Sequence, residues 1–138
     1  TTYLQKAIDK KKPEFIGDLV KLLKDIPEYE EASKRNAGPK IVLGTEKKHA
    51  GKIVVDMTGG TEGSKDIFKE LSHAGISTIV CMHLSDEHIK KAQQEHINVV
   101  IAGHIASDTV GLNLLFDELV KKDKLEIIAC SGFVRVKR

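Results

Sequence analysis

Tryptophan is absent from this chain of 138 residues, and aromatic residues make up only 4% of it. That scarcity argues against a single-strand nucleic-acid binder, which stacks bases on aromatic platforms. Charge of one sign is also lacking: 22 basic residues against 20 acidic ones leave a net charge of +2. So small an excess gives no field that would by itself gather nucleic acid. The basic runs Lys10 to Lys12 and Arg135 to Arg138 read as solvated ends. No apolar stretch nears the ~20 residues that span a bilayer, and the first residues show neither a signal-peptide core nor an Arg-rich transit pattern. With only two cysteines, Cys81 and Cys130, no disulfide framework is expected, and the expected setting is reducing and cytoplasmic.

What remains is a folded composition, 30% charged and 41% hydrophobic, and a length that buries a core without staples. Phe15, Ile16, Leu19, Leu22 and Leu23 recur at helical spacing behind Pro13, which predicts an amphipathic helix over 13–25. Pro27 stops it, a short helix through Glu28 to Lys34 follows, and Asn36-Ala37-Gly38-Pro39 is a turn cluster. Residues 1–40 therefore read as a helical lead-in or interdomain segment, and 41–138 as an α/β domain. In that second part, short β-branched runs at Ile53–Met57, Ser77–Met82, Asn98–Ala102, Glu126–Cys130 and Phe133–Lys137 alternate with helical patterns over 61–74, 85–95 and 108–122. The alternation predicts right-handed βαβ units and a mainly parallel sheet with flanking helices. Continuous apolar text such as Val99-Val100-Ile101 suits strands covered on both faces. Gly132 between the last two runs suggests a hairpin with an antiparallel edge strand.

Ligands of open α/β sheets sit beyond the carboxyl ends of the parallel strands. The residues expected on that rim are Asp56, Thr58 and the Gly59 to Ser64 turn, then Cys81, His83 and Asp86, then Gly103, His104 and Asp108, and finally Cys130 and Ser131. His104 and Asp108 offer an imidazole nitrogen and a hard oxygen, a pair suited to a divalent cation. The bland alternative makes Ser107 or Asp108 a helix cap and His104 an ordinary loop residue. His83 is a candidate ligand or general acid and base, or a loop residue. His49, His73, His88 and His96 fall in helices or surface turns and read as solvated. Gly59, Gly60, Gly63 and Ser64 have the physics of an anion cradle or simply of a tight turn. They match neither the P-loop nor the dinucleotide fingerprint. Neither cysteine has an assigned base, and no Ser sits in a nucleophile elbow.

The run Asn98-Val-Val-Ile-Ala-Gly-His104-Ile-Ala-Ser-Asp108, followed by a Leu-rich helix, resembles the signature near the C-terminus of the Nif-three-like dinuclear metal-centre family. The Gly59-Gly60 turn, Ala74-Gly75-Ile76, and His88 with Ala92 before Ile97-Asn98 fall at comparable places, so the likeness covers about 52–122. It implies a homohexamer with two divalent metals (zinc, iron, manganese or magnesium) and a hydrolase or GTP cyclohydrolase type two homologue acting on an unidentified, nucleotide-like substrate. On that likeness His104 and Asp108 take the C-terminal metal-ligand positions; in an enzyme of this kind His83 would shuttle protons or bind substrate. The pattern departs in two ways: Asp108 stands where the family usually has Glu, and the family's paired histidines are missing. The chain then reads as the C-terminal half of a longer protein, holding metal weakly or not at all, because a hydrolytic site needs three or more protein ligands. The competing reading is a non-catalytic regulatory or assembly module that binds a ligand or partner at the same rim.

Overall fold

The computed structural model describes residues 1–58 and 63–138. Three helices come first: α1 (Thr2–Lys11), α2 (Ile16–Lys24) and α3 (Pro27–Lys34). Strand β1 (Lys40–Leu43) and strand β2 (Lys52–Asp56) follow, then α4 (Ile67–His73), β3 (Ile76–Cys81), α5 (Asp86–Gln94), β4 (Asn98–Ile101) and the long α6 (His104–Lys122). The strands form one sheet in the order β1-β4-β3-β2. Strands β2, β3 and β4 run parallel, with Val55 beside Val80 and Val80 beside Val100, whereas β1 lies antiparallel to β4.

The central residues of the parallel strands, 53–55, 79–81 and 99–101, are apolar because helices cover both faces. On one face Val55, Val80 and Val100 join Leu4, Ile8, Ile16, Leu19, Leu23 and Tyr29 of the first three helices and Val110 of α6. On the other, Ile79, Cys81 and Val99 pack with Phe68 of α4 and Ala92 of α5. Residues one apart along β3 and β4 thus feed two cores, the period-2 consequence of the pleat. The edge of β2 is closed by a side chain: Gln5 donates to the Ile53 carbonyl (3.2 Å) and accepts from the Val55 amide (2.9 Å). This amide satisfies backbone groups that an edge would otherwise leave open to another strand.

Several sequence-based expectations are corrected. The predicted helix over 13–25 begins only at Ile16, since Pro13 lies in the connection and Phe15 forms an isolated bridge to His49. The residues before it, Thr2–Lys11, form a separate helix. Pro27 stands at the first position of α3, where its missing N–H costs nothing. The runs at Glu126–Cys130 and Phe133–Lys137 are not strands. The antiparallel edge is β1 instead, which occupies the free side of β4 that a C-terminal strand would have used. The C-terminal segment is held by side chains. Asn113 of α6 donates to the Val134 carbonyl (2.9 Å) and accepts from the Val136 amide (3.1 Å), as a neighbouring strand would. Among the described residues, no helix is long and apolar enough to cross a membrane.

Candidate functional site

Strands β3 and β4 end in register, Cys81 beside Ile101, and the pairing extends through the Ala102 amide to the Cys81 carbonyl (2.8 Å). His83 follows the end of β3 by two residues and His104 the end of β4 by three, and the two emerge side by side. Their rings stack with centroids 5.1 Å apart and planes 2° from parallel.

The exit of β4 is sharp. Gly103 adopts φ 98°, a region open to glycine and strained for other residues, and a Cβ there would stand 2.9 Å from the Ala37 carbonyl oxygen. The tight turn starts α6 at His104 rather than at residue 108. Asp108 is therefore no cap; it lies one turn into the helix, on the same face as His104. His104 Nε2 stands 3.3 Å from Asp108 Oδ2, and both side chains are about half exposed.

Burial anchors this helix start. Tyr29, fully buried on α3, bonds Ser107 Oγ at 2.9 Å, and Ser107 Oγ donates to the Gly103 carbonyl at 2.6 Å. A hydroxyl has one proton, and Ser107 spends it on a carbonyl, so Tyr29 is the donor of the pair. Burial pushes the Tyr29 hydroxyl up to about 12, with the Ser107 bond opposing and the Glu28 carboxylate adding to the rise. Tyr29 carried no signal in the sequence and Ser107 only that of a possible helix cap: a buried tyrosine and a serine 78 positions later meet only through the fold.

Beneath His104 lies a cavity of about 340 Å³, lined chiefly by Ala32, Ala37, Ile105, Ala106 and Val134, with Arg35 also on its wall. Farther along, Glu28 is fully buried at its side chain and bonds Asn113 (2.8 Å) and Arg138. Burial pushes the Glu28 carboxyl up, but the hydrogen bonds from Arg138 and Asn113 together outweigh it and hold the group below its usual range.

The structure brings together His83, His104 and Asp108. Gly59 and Gly60 lie outside the described residues. Gly63 and Ser64 line a different groove, of about 480 Å³, whose wall also carries Asp56, Asp66 and Glu70, a charge that disfavours an anion. His88 is buried rather than solvated. Its Nδ1 meets Ser85 Oγ at 2.8 Å, its Nε2 meets the Gly63 carbonyl at 3.4 Å, and its ring lies edge-on to Phe68. Ser85 caps α5, accepting the His88 amide. His49, His73 and His96 are exposed. Cys81 is buried and Cys130 exposed, and both are thiols.

Two donors about 2.0–2.2 Å from one tetrahedral ion stand roughly 3.3–3.6 Å apart. The observed 3.3 Å between His104 Nε2 and Asp108 Oδ2 fits that spacing. The number of donors does not suffice: no group of three or more His, Cys, Asp or Glu able to hold a metal occurs among the described residues.

No family profile and no curated protein matches the chain. Solved structures do. A NIF3 superfamily protein from Sphaerobacter thermophilus matches with a TM-score of 0.67 and 27% identity, over 86% of this chain and 43% of that one. A Bacillus cereus protein related to NIF3 matches with a TM-score of 0.53 and 17% identity, over 88% of this chain and 32% of that one. A Staphylococcus aureus protein matches with a TM-score of 0.52 and 15% identity, over 89% of this chain and 34% of that one. The chain thus spans less than half the length of the structures it matches.

Proposed function

We propose that this chain, which carries the fold of NIF3 superfamily proteins over about two fifths of the length of one of them, supplies the C-terminal half of a divalent-metal site in a metal-dependent hydrolase. The observation that carries the reading is the convergence of His104 Nε2 and Asp108 Oδ2 at a separation one cation can bridge. The two are held on the first turns of a helix that Tyr29 and Gly103 lock in place. His104 and Asp108 would hold the ion, and the further ligands would come from outside the described residues. When bound, a divalent cation supplies Lewis acidity to water and to an electrophilic centre.

The chain's own residues define the rest. His83, stacked on His104 and exposed, would move a proton at an imidazole nitrogen beside the ligand pair. The largely apolar cavity next to His104 can exclude water from part of a bound substrate. The alternative is a non-catalytic module binding a ligand or partner at this rim. The lack of a three-donor group among the described residues favours it.

The test is a zinc and manganese titration of the chain, followed by the histidine imidazole resonances, with His104→Ala and Asp108→Asn alongside. The expected result is weak binding that perturbs His104 and is lost in both variants. An unperturbed His104 at saturating metal would remove the metal reading and leave the binding module.

A further inference from the structure

The cavity beside His104 draws its apolar walls from three separate pieces of chain. Ala32 and Ala37 come from α3 and the connection after it, Ile105 and Ala106 from the first turn of α6, and Val134 from the C-terminal segment. Ala106 is buried and Ile105 is 78% exposed, so the cavity runs from the interior to the surface. Three of these five residues are alanines. Larger aliphatic side chains at those positions would close the space and gain the burial that a void forfeits. Alanine instead leaves about 340 Å³ open, at the lower end of the range for small-molecule sites.

The chemistry of the lining specifies what fits. The charged groups on the wall already have counter-charges: Arg35 donates to Glu31 at 3.0 Å, and Glu28 accepts from Asn113 and Arg138. Thr109 spends its hydroxyl proton on the Ile105 carbonyl at 2.8 Å. A charged ligand group entering here would lose its hydration and meet no unpaired charge in exchange. A nucleobase is held by stacking on rings or guanidinium planes and by hydrogen bonds to its edge. Among the described residues the one ring on this wall is the imidazole of His104, which pairs with Asp108 and stacks on His83. What the alanines, Ile105 and Val134 do offer is dry contact with methyl and methylene groups.

We infer that this cavity binds a short, uncharged aliphatic group, the acyl or alkyl part of a substrate whose polar end meets His104 and Asp108. His104 both lines the cavity and pairs with Asp108, so a chain leaving the cavity passes the imidazole. The substrate class is then one with an aliphatic group beside the reacting centre rather than a nucleotide. That the bound group belongs to a substrate rests on the hydrolase reading; the preference of the cavity for aliphatic chains does not, and it is measured with chelator present.

The test titrates straight-chain primary alcohols from propanol to heptanol, and adenosine for comparison, into the chain while following the methyl resonances of Ile105, Ala106 and Val134. Saturable shifts at those methyls are expected, with the dissociation constant falling about fourfold per added methylene until the cavity is full. Ala32→Leu fills the space and should weaken the tightest alcohol at least about tenfold, with an unchanged circular dichroism spectrum as the control for folding. Ala37→Leu, at an exposed position outside the helices, should do the same and serves if the first variant does not fold. Shifts that do not saturate, an affinity that is flat with chain length, or adenosine binding more tightly than every alcohol overturns the inference. So does binding that a folded filling variant leaves unchanged. The metal titration of His104 separates the two readings. Alcohol binding without a metal effect removes the hydrolase and leaves the cavity as the aliphatic site of a binding module, whereas a metal effect without alcohol binding keeps the hydrolase and overturns the cavity's role.

Discussion

Replacing Ser107 by alanine should destabilise this fold more than replacing its larger partner Tyr29 by phenylalanine, and the order follows from the direction of the hydrogen bonds. Tyr29 is fully buried, and its hydroxyl donates to Ser107 Oγ at 2.9 Å, which in turn donates to the Gly103 carbonyl at 2.6 Å. Tyr29→Phe removes one donor and leaves the Ser107 bond to Gly103 intact, a net loss of about 1 kcal/mol. Ser107→Ala removes the bond to Gly103 and also strands the phenolic O–H without an acceptor. An orphaned buried group costs about 1–3 kcal/mol beyond a net bond of roughly 1 kcal/mol, so about 2–4 kcal/mol in all is expected. The double variant should lose about 2 kcal/mol, less than the sum of the singles, because removing the tyrosine hydroxyl also removes the orphan. Urea unfolding at constant slope measures all three. Strict additivity, or a Tyr29→Phe cost equal to that of Ser107→Ala, would refute the donor assignment. The same hydroxyl makes a pH prediction. A tyrosine raised from 10.0 to about 12 in the folded state contributes stability in full below the unfolded value and loses it as pH climbs through the folded one. The wild type should therefore weaken between pH 10 and 12 by an increment that Tyr29→Phe abolishes.

Three further outcomes test the supports of the site. Arg138→Ala leaves the Glu28 carboxylate buried with only Asn113 as partner, and should cost about 3 kcal/mol, the low end for breaking a buried pair because Arg138 is itself partly exposed. The depressed Glu28 group contributes stability above its ordinary value of 4.5 and loses it as pH falls through the lower folded value. The acid limb of the stability profile should therefore be shallower in Glu28→Gln. Gly103→Ala meets both a positive φ and the Ala37 carbonyl, and should destabilise by more than about 1 kcal/mol while shifting the His83 and His104 resonances. Unmoved imidazole signals would show that the turn does not set their positions.

Strands β2, β3 and β4 were legible because each is a short, nearly unbroken apolar run between helical patterns, and that text has few other folded solutions. The His104 and Asp108 pair was legible too, from residue type and spacing at a strand exit. The C-terminal runs misled for a structural reason. Their β-branched composition suits a strand, but the edge of β4 was already taken by the four residues Lys40–Leu43, too short a run to stand out. His88 looked solvated because its helix is polar on average, and only the packing of Phe68 and the Gly63 backbone around it makes it a buried, bonded group.

Local chemistry by itself determined the alternation of strands and helices, the two-faced burial of the parallel strands and the residue types available at the rim, since propensity, period and turn residues act over a few positions. The tertiary structure alone decided which strand holds the antiparallel edge, that α6 begins at His104 so that His104 and Asp108 share a helix face, and that His83 stacks on His104. Those outcomes depend on contacts between residues tens of positions apart, such as Tyr29 with Ser107 and Gly103 against Ala37, which no local pattern encodes.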